Sequence, residues 1–225
     1  MCADRIRNLY DVLHAAYGPQ EWWPADSPFE VIVGAILTQR TAWRNVERAI
    51  SAMRRSDLLS TDAIERASKS VLTEAIRAAG FYTAKTATLK GFVRHLNEEH
   101  DGALDRMFDV PTDVLRSELL GLRGIGEETA DAIVVYAAGK LSFVVDAYAR
   151  RVLRRLGWIS GAESYETLRR LFLVALPQDV SLVREYHALL VCHGKARCRS
   201  VPRCTDCPLG ELCQLPRRRE EERTT

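Results

Sequence analysis

Apolar residues recur at helical spacing from the start of the chain. Ile6, Leu9, Tyr10, Leu13 and Tyr17 share one face of a helix that Gly18-Pro19 ends. Phe29–Thr38 is apolar on every side, which predicts a buried central helix. Trp43, Val46, Ala49, Ile50 and Met53 mark an amphipathic helix, and Leu72–Ala79 a further one closed by Gly80. Leu89, Phe92, Val93 and Leu96 stripe the helix after that, and Leu104–Pro111 reads as a connector. Helices over Asp113–Leu120 and about 127–138 follow, then Ala147–Leu156, Tyr165–Leu176 and Leu182–Val191. No run alternates with the period of two that a half-buried strand requires. The fold class is therefore all-α, built of helices with short loops.

The 225 residues suffice for one large domain or two lobes with a real core. Hydrophobic residues are 47% and charged residues 28%, an ordinary globular balance. With a net charge of only +2, any nucleic-acid surface must come from local clustering. No apolar run approaches the roughly 20 residues of a membrane span. The N-terminus carries charges throughout and lacks a signal-peptide pattern, so the expected compartment is the cytoplasm. The charged tail Arg217–Thr225 is expected to be disordered.

The richest stretch is LGLRGIGEETADAIVVYAAGKLSFVVDAYARRVLRRLG, from Leu120 to Gly157. Gly121, Gly124 and Gly126 interrupt two helical runs, as a tight helix–hairpin–helix turn requires. The second helix starts directly after Gly126, so its unpaired N–H groups offer a seat for a phosphate. The strand-like Phe143-Val144-Val145 then delivers Asp146 to the head of another helix. A phosphate seat followed by one carboxylate suggests chemistry on the sugar of a nucleotide. An ordinary N-cap would account for Asp146 equally well.

Cys198, Cys204, Cys207 and Cys213 form a C-x5-C-x2-C-x5-C pattern. Such density points to metal rather than disulfides in a cytosolic chain, and spacing alone admits zinc or an iron–sulfur cube. Cys2 and Cys192 fall outside the pattern and read as plain thiols. Lys195, Arg197, Arg199 and Arg203 surround the first ligands, and a metal-stapled loop would hold these cations toward phosphate. Arg150 with Arg154 and Arg151 with Arg155 form a second basic face, also read as contacting DNA.

The hairpin LRGIGEETA, the apolar lead into Asp146 and the four late cysteines together resemble the endonuclease III-like DNA glycosylases. GAILTQ, GFYTAK and HGK extend the resemblance over almost the whole chain. It implies a two-lobed helix–hairpin–helix glycosylase fold with a C-terminal [4Fe-4S] loop on Cys198, Cys204, Cys207 and Cys213. A helical barrel over residues 29–139 would be one lobe, and residues 1–28 with 140–225 the other. The partner would be double-stranded DNA containing a damaged base, gripped through Gly124, Gly126, Thr129, Arg199 and Arg203. Gln39 and Phe81 would fill the gap left by a nucleotide flipped into the cleft. Neither a membrane nor a second copy is expected, and the protein would work on the nucleoid in base excision repair.

Two positions depart from the pattern. Strand-cutting members carry a lysine two residues beyond the last hairpin glycine, and here that residue is Glu128. A carboxylate forms no Schiff base, so the lyase route is closed there and hydrolysis remains. The first cysteine gap is five residues, where the familiar spacing has six.

WWP, TQRTAW, GFY, GIGxExADAI and VVDAYARR look like the type III 3-methyladenine DNA glycosylases. That branch implies removal of alkylated purines, 3-methyladenine first and 7-methylguanine second, from an electron-rich box. Trp22, Trp23, Trp43 and Tyr82 are the box candidates, with Lys195 at its mouth. Asp146 and Glu128 would be the acidic groups of catalysis. A mismatch or oxidised-base glycosylase and a non-catalytic damage-binding module are the alternatives.

Overall fold

The computed structural model describes residues 3–20 and 22–215. Cys2 and the tail Arg217–Thr225 lie outside the described residues. Twelve α-helices are described: α1 (Ala3–Tyr17), α2 (Pro28–Leu37), α3 (Trp43–Arg55), α4 (Thr61–Arg66), α5 (Lys69–Ala75), α6 (Tyr82–His100), α7 (Leu104–Phe108), α8 (Thr112–Gly121), α9 (Glu127–Ala132), α10 (Ala147–Arg155), α11 (Tyr165–Ala175) and α12 (Val180–Ala196). Among the described residues there is no β-strand, and none of their helices is long and apolar enough to cross a membrane. Phe143-Val144-Val145 belongs to no helix or strand.

The chain divides into two compact units, one from residues 1–22 and 141–225, the other from 23–140. The loop 23–27 thus goes with the second unit.

In the 23–140 unit, α2 is the centre. Every residue from Phe29 to Leu37 is buried, as its all-round apolar sequence predicts. Ser27 caps it by accepting from Glu30 N. The buried Glu30 carboxylate meets the Arg54 guanidinium at 2.8 Å, which ties α3 to α2. Ser60 and Ser68 cap α4 and α5 in the same way as Ser27. The segment expected as one helix over Leu72–Ala79 is α5 followed by a 3₁₀ turn, Arg77–Ala79. Lys85 replaces a conventional cap for two ends at once. Its buried Nζ donates to Leu37 O and Ala79 O, both at 2.8 Å, and burial lowers its pKa. It fixes the end of α2 against the Arg77–Ala79 turn.

The hairpin joins α8 to α9, and α9 runs on as a π-helical turn, Ile133–Ala137. Asp131, fully buried, accepts from Arg116 Nε at 2.9 Å and Nη2 at 3.1 Å, a bidentate pair that clamps α8 onto α9. Gly124 carries φ +91°, and a Cβ there would lie 2.1 Å from Thr88 Oγ1 on α6. Only glycine satisfies both the dihedral and this approach.

In the other unit, α12 packs between α1 and α10. Its centre is aromatic: Phe143 stacks on Phe172 at 3.8 Å, and Tyr186 meets both rings edge-on. The Tyr186 hydroxyl donates to Ile6 O at 2.7 Å, which satisfies the one polar atom buried there.

Two outcomes follow for stability. Asp131→Ala strands the Arg116 charge and should cost about 3–5 kcal/mol, read as a lower urea midpoint at unchanged slope. Gly124→Ala should cost roughly 1–2 kcal/mol for its dihedral and a further ~1–3 kcal/mol for the clash. Adding Thr88→Ala should recover part of the clash and none of the dihedral cost. An unaltered midpoint in either single variant would contradict these packing arguments.

Candidate active site

Asp146 is the N-cap of α10. Its backbone is extended, with φ −82° and ψ −180°, and Oδ1 accepts from Ala149 N at 2.8 Å. Ala149 N is one of the orphan donors at a helix start, so this bond locks the carboxylate plane. Oδ2 faces the buried imidazole of His187 on α12, 3.7 Å from Nε2. That distance suits a Coulombic contact and is too long for a hydrogen bond. The Asp146 side chain keeps 13% of its surface exposed, so reactants can reach it.

The segment leading to Asp146 is fixed on both sides. Tyr165 at the head of α11 places its hydroxyl between Val145 N at 3.3 Å and Phe143 O at 3.4 Å. Arg169 donates to Ser142 Oγ at 3.0 Å while paired with Glu166. The backbone of 142–146 therefore has partners although it belongs to no sheet. Neither Tyr165 nor His187 stands out in the sequence, since each looks like one more apolar-face residue of a helix.

Trp22 belongs to the same unit, and the Lys195 ammonium sits over its ring at 5.0 Å. Trp23 belongs to the other unit, where it packs edge-on to Trp43 at 5.3 Å and tilted on Tyr136 at 5.0 Å. A Cβ on Gly34 would stand 3.4 Å from the Trp23 ring, so the glycine lets the indole lie close along α2. Tyr136 is a member of this group that sequence reasoning missed, because its spacing marks only the buried face of a helix. Tyr82 is apart: its ring contact is the Arg77 guanidinium at 5.4 Å.

The turn before α6 displays Phe81. Gly80 has φ 67°, and Phe81 itself has φ 47° and ψ 29°, a left-handed conformation unfavourable for a bulky residue. The ring is 62% exposed. An aromatic held outward against its own backbone preference is what a wedge into stacked bases needs. The Gln39 amide, by contrast, donates to Gly124 O and Thr129 Oγ1, both at 2.9 Å. The buried Thr129 hydroxyl thus points inward, and Gln39 braces the hairpin. Gly126 is the N-cap of α9, and Glu127 and Glu128 stand exposed in its first turn.

Cys198, Cys204, Cys207 and Cys213 line one pocket together with Arg155, His193, Arg197 and Leu209. Burial, followed by the neighbouring thiols, raises the pKa of Cys207 and Cys213. A bound metal would favour the thiolate form of such cysteines. Among the described residues only His95, His100 and Glu118 bring three potential ligand atoms within 4.8 Å of one another. Four thiols lining one pocket can hold either zinc or an iron–sulfur cluster. Cys192 is half-buried on α12, outside this pocket.

The basic face expected on α10 is turned inward. Arg151 donates to Cys198 O at 2.6 Å and Gly194 O at 3.1 Å. Arg155 donates to Cys198 Sγ at 3.3 Å, Arg199 O at 2.5 Å and Ser200 O at 2.9 Å. Arg150 reaches Glu163 O, and Arg197 reaches Thr205 O. These guanidiniums satisfy carbonyls of irregular backbone, which leaves Arg154, Lys195, Arg199 and Arg203 as the exposed cations of this region. Gly194 permits the approach of α12 to α10, since a Cβ there would lie 2.4 Å from Tyr148 Cδ1.

A model of the HhH-GPD superfamily base excision DNA repair proteins matches residues 33–178. A candidate DNA repair glycosylase of Methanocaldococcus jannaschii is 44% identical over 212 residues, covering 93% of this chain and 96% of its own. A 3-methyladenine DNA glycosylase from H. pylori, solved bound to 1,N6-ethenoadenine, is 26% identical with a TM-score of 0.74. That match covers 86% of this chain and 96% of the other. An endonuclease III solved in a non-covalent DNA complex shares the fold, with a TM-score of 0.84 at 22% identity over 98% of this chain and 99% of that one. The chain belongs to the HhH-GPD superfamily of base excision DNA repair proteins, as an endonuclease III-like helix–hairpin–helix DNA glycosylase.

Proposed function

We propose that this glycosylase hydrolyses the N-glycosidic bond of alkylated purines in double-stranded DNA, chiefly 3-methyladenine, without cutting the strand. The observation that carries the reading is Asp146: its carboxylate is aimed by its own helix cap, it is reachable from solvent, and Glu128 stands where strand-cutting relatives hold an amine. As the C1′–N9 bond breaks, its electron pair passes to the base and positive charge grows on the deoxyribose. The fixed carboxylate stabilises that charge. Water adds to C1′, and Asp146 takes the proton that the water loses. A cationic alkylated purine departs as a neutral base, so no general acid is required.

Selection of a cationic base calls for electron-rich rings. Lys195 over Trp22 supports this role for that indole, because the ring already attracts a cation that an alkylated base could displace. The Trp23–Trp43–Tyr136 group is the second candidate. Gly124 and Gly126 would present hairpin N–H groups to a phosphate, with Arg199 and Arg203 contacting the backbone nearby. Phe81 would fill the vacated step. Gln39 would join it there only by releasing Gly124 and Thr129. The protein would act as a monomer on the nucleoid, in the cytoplasm.

The four cysteines would hold a [4Fe-4S] cluster, a reading supported by their gathering in one pocket and by the Arg155 donor on Cys198 Sγ. When bound, such a cluster supplies a structural crosslink to a loop with almost no core of its own. Arg151, Arg155 and Arg197 then keep the surrounding backbone in place and Arg199 and Arg203 outward.

Asp146→Asn keeps a good cap and should keep DNA affinity, while base release from methylated DNA falls at least about 100-fold. Turnover equal to the parent would exclude Asp146 from the chemistry. Release of uracil, mismatched adenine or oxidised guanine in place of 3-methyladenine would shift the assignment to another branch, and strand scission would overturn the lyase argument. Phe81→Ala should leave the thermal midpoint within a degree or so, since the ring is exposed, yet weaken binding to lesion-containing duplex. The purified protein should be brown and lose colour, iron and stability together in Cys204→Ser; a colourless zinc protein would refute the cluster.

A further inference from the structure

Outside the residues assigned to the proposed reaction, α6 and α8 bring together two imidazoles and one carboxylate. His95 Nε2 lies 2.6 Å and His100 Nε2 2.5 Å from the same atom, Glu118 Oε1. The three side chains retain only 22%, 13% and 19% of their surface, and the two rings meet edge-on at 5.9 Å. Most ion pairs among the described residues involve guanidiniums, whereas here two imidazoles share one carboxylate oxygen in a half-buried spot. The group borders a surface cleft whose other walls are Asp113, Val114, Ser117, Gly121 and Leu122. The sequence reading assigned none of the three a role, because five residues separate the histidines and the glutamate comes from another helix.

We propose that His95, His100 and Glu118 form a binding site for a divalent transition-metal ion of the zinc type. Two neutral imidazoles and a carboxylate are a borderline donor set that suits zinc and is poorly matched to calcium or magnesium. All three donor atoms already lie within 4.8 Å of one another. Around tetrahedral zinc, with bonds of about 2.0–2.1 Å, ligand atoms stand roughly 3.3 Å apart. Each ring therefore needs to withdraw from Glu118 by less than about 1 Å, and the two imidazole nitrogens, at most 4.8 Å apart, to close toward the same separation, both within the play of side-chain torsions. One dication replaces the imidazole protons now facing the oxygen, and Glu118 offsets one of its charges. The cleft provides the entry path, room for a water as fourth ligand and, through Asp113, further negative potential. Coordination would fasten α8, the helix that feeds the hairpin, to α6, on which Thr88 supports Gly124.

The test is zinc binding by the intact, iron-loaded chain, with iron and zinc counted together after dialysis against ZnCl2. The parent should hold one zinc beyond its iron, and ZnCl2 should raise its thermal midpoint. His100→Gln and Glu118→Gln should each weaken that zinc by more than about 100-fold, above the loss usual for an outer-shell change, with iron unaltered. Carbethoxylation of the parent gives an independent readout that requires no variant: zinc should protect His95 and His100 and leave the half-exposed His14 reactive. Zinc retained by both variants, zinc appearing only as iron is lost, or labelling indifferent to zinc would each overturn the site. Base release takes no part in these measurements, so failure here leaves the glycosylase reading standing.

Discussion

One carboxylate has two demands placed on it. In the proposed reaction Asp146 must satisfy a backbone donor at the head of α10 and still present an oxygen to a reacting sugar. A carboxylate has two oxygens, and the fold divides them: Oδ1 goes to Ala149 N, and Oδ2 remains beside His187 with part of its surface open. The cap bond contributes about 0.5–2 kcal/mol to stability, the scale of such caps. Its larger consequence is orientation, because it removes the torsional freedom that would blunt an electrostatic catalyst. Everything upstream serves that placement, from the Phe143–Phe172 stack to the Tyr165 hydroxyl held between Val145 N and Phe143 O.

The cysteine loop shows how charge can be spent inside a protein. Arginines that look like a DNA-binding face along α10 are consumed by carbonyls and a thiol of residues 194–200. An irregular loop has no helical ladder to satisfy its backbone, and a guanidinium brings several donors to the task at once. Outward charge then falls to Arg154, Lys195, Arg199 and Arg203, a smaller set than a count of basic residues suggests. In the other unit Lys85 plays the corresponding part for the ends of α2 and of the Arg77–Ala79 turn, and so steadies the base of the strained Gly80-Phe81 turn.

Long periodic helices were legible in the sequence. The first helix, the apolar Phe29–Thr38 segment and the helices after Asp146 stand within a few residues of where hydrophobic spacing sets them. Short elements escaped: α4 and α7 have too few turns to establish a period, and the stretch after Leu72 breaks into a helix and a 3₁₀ turn. The π-helical turn at Ile133–Ala137 escaped as well, since one extra residue per turn leaves the pattern of burial almost unchanged. The glycines of the hairpin were plain in the chain, whereas the reason for Gly124 was not: Thr88, 36 positions earlier, occupies the space a side chain would need.

By itself, then, the order of residues determined an all-helical protein, a glycine hairpin, one carboxylate at a helix start and four clustered thiols. These are local matters, set by periodicity, backbone freedom and the chemistry of neighbours along the chain. Tertiary structure alone decided which arginines turn inward, which aromatic rings meet and which imidazoles share an oxygen. Contacts of this kind join residues up to 180 positions apart, such as Ile6 with Tyr186, and no pattern along the chain encodes a distance across it.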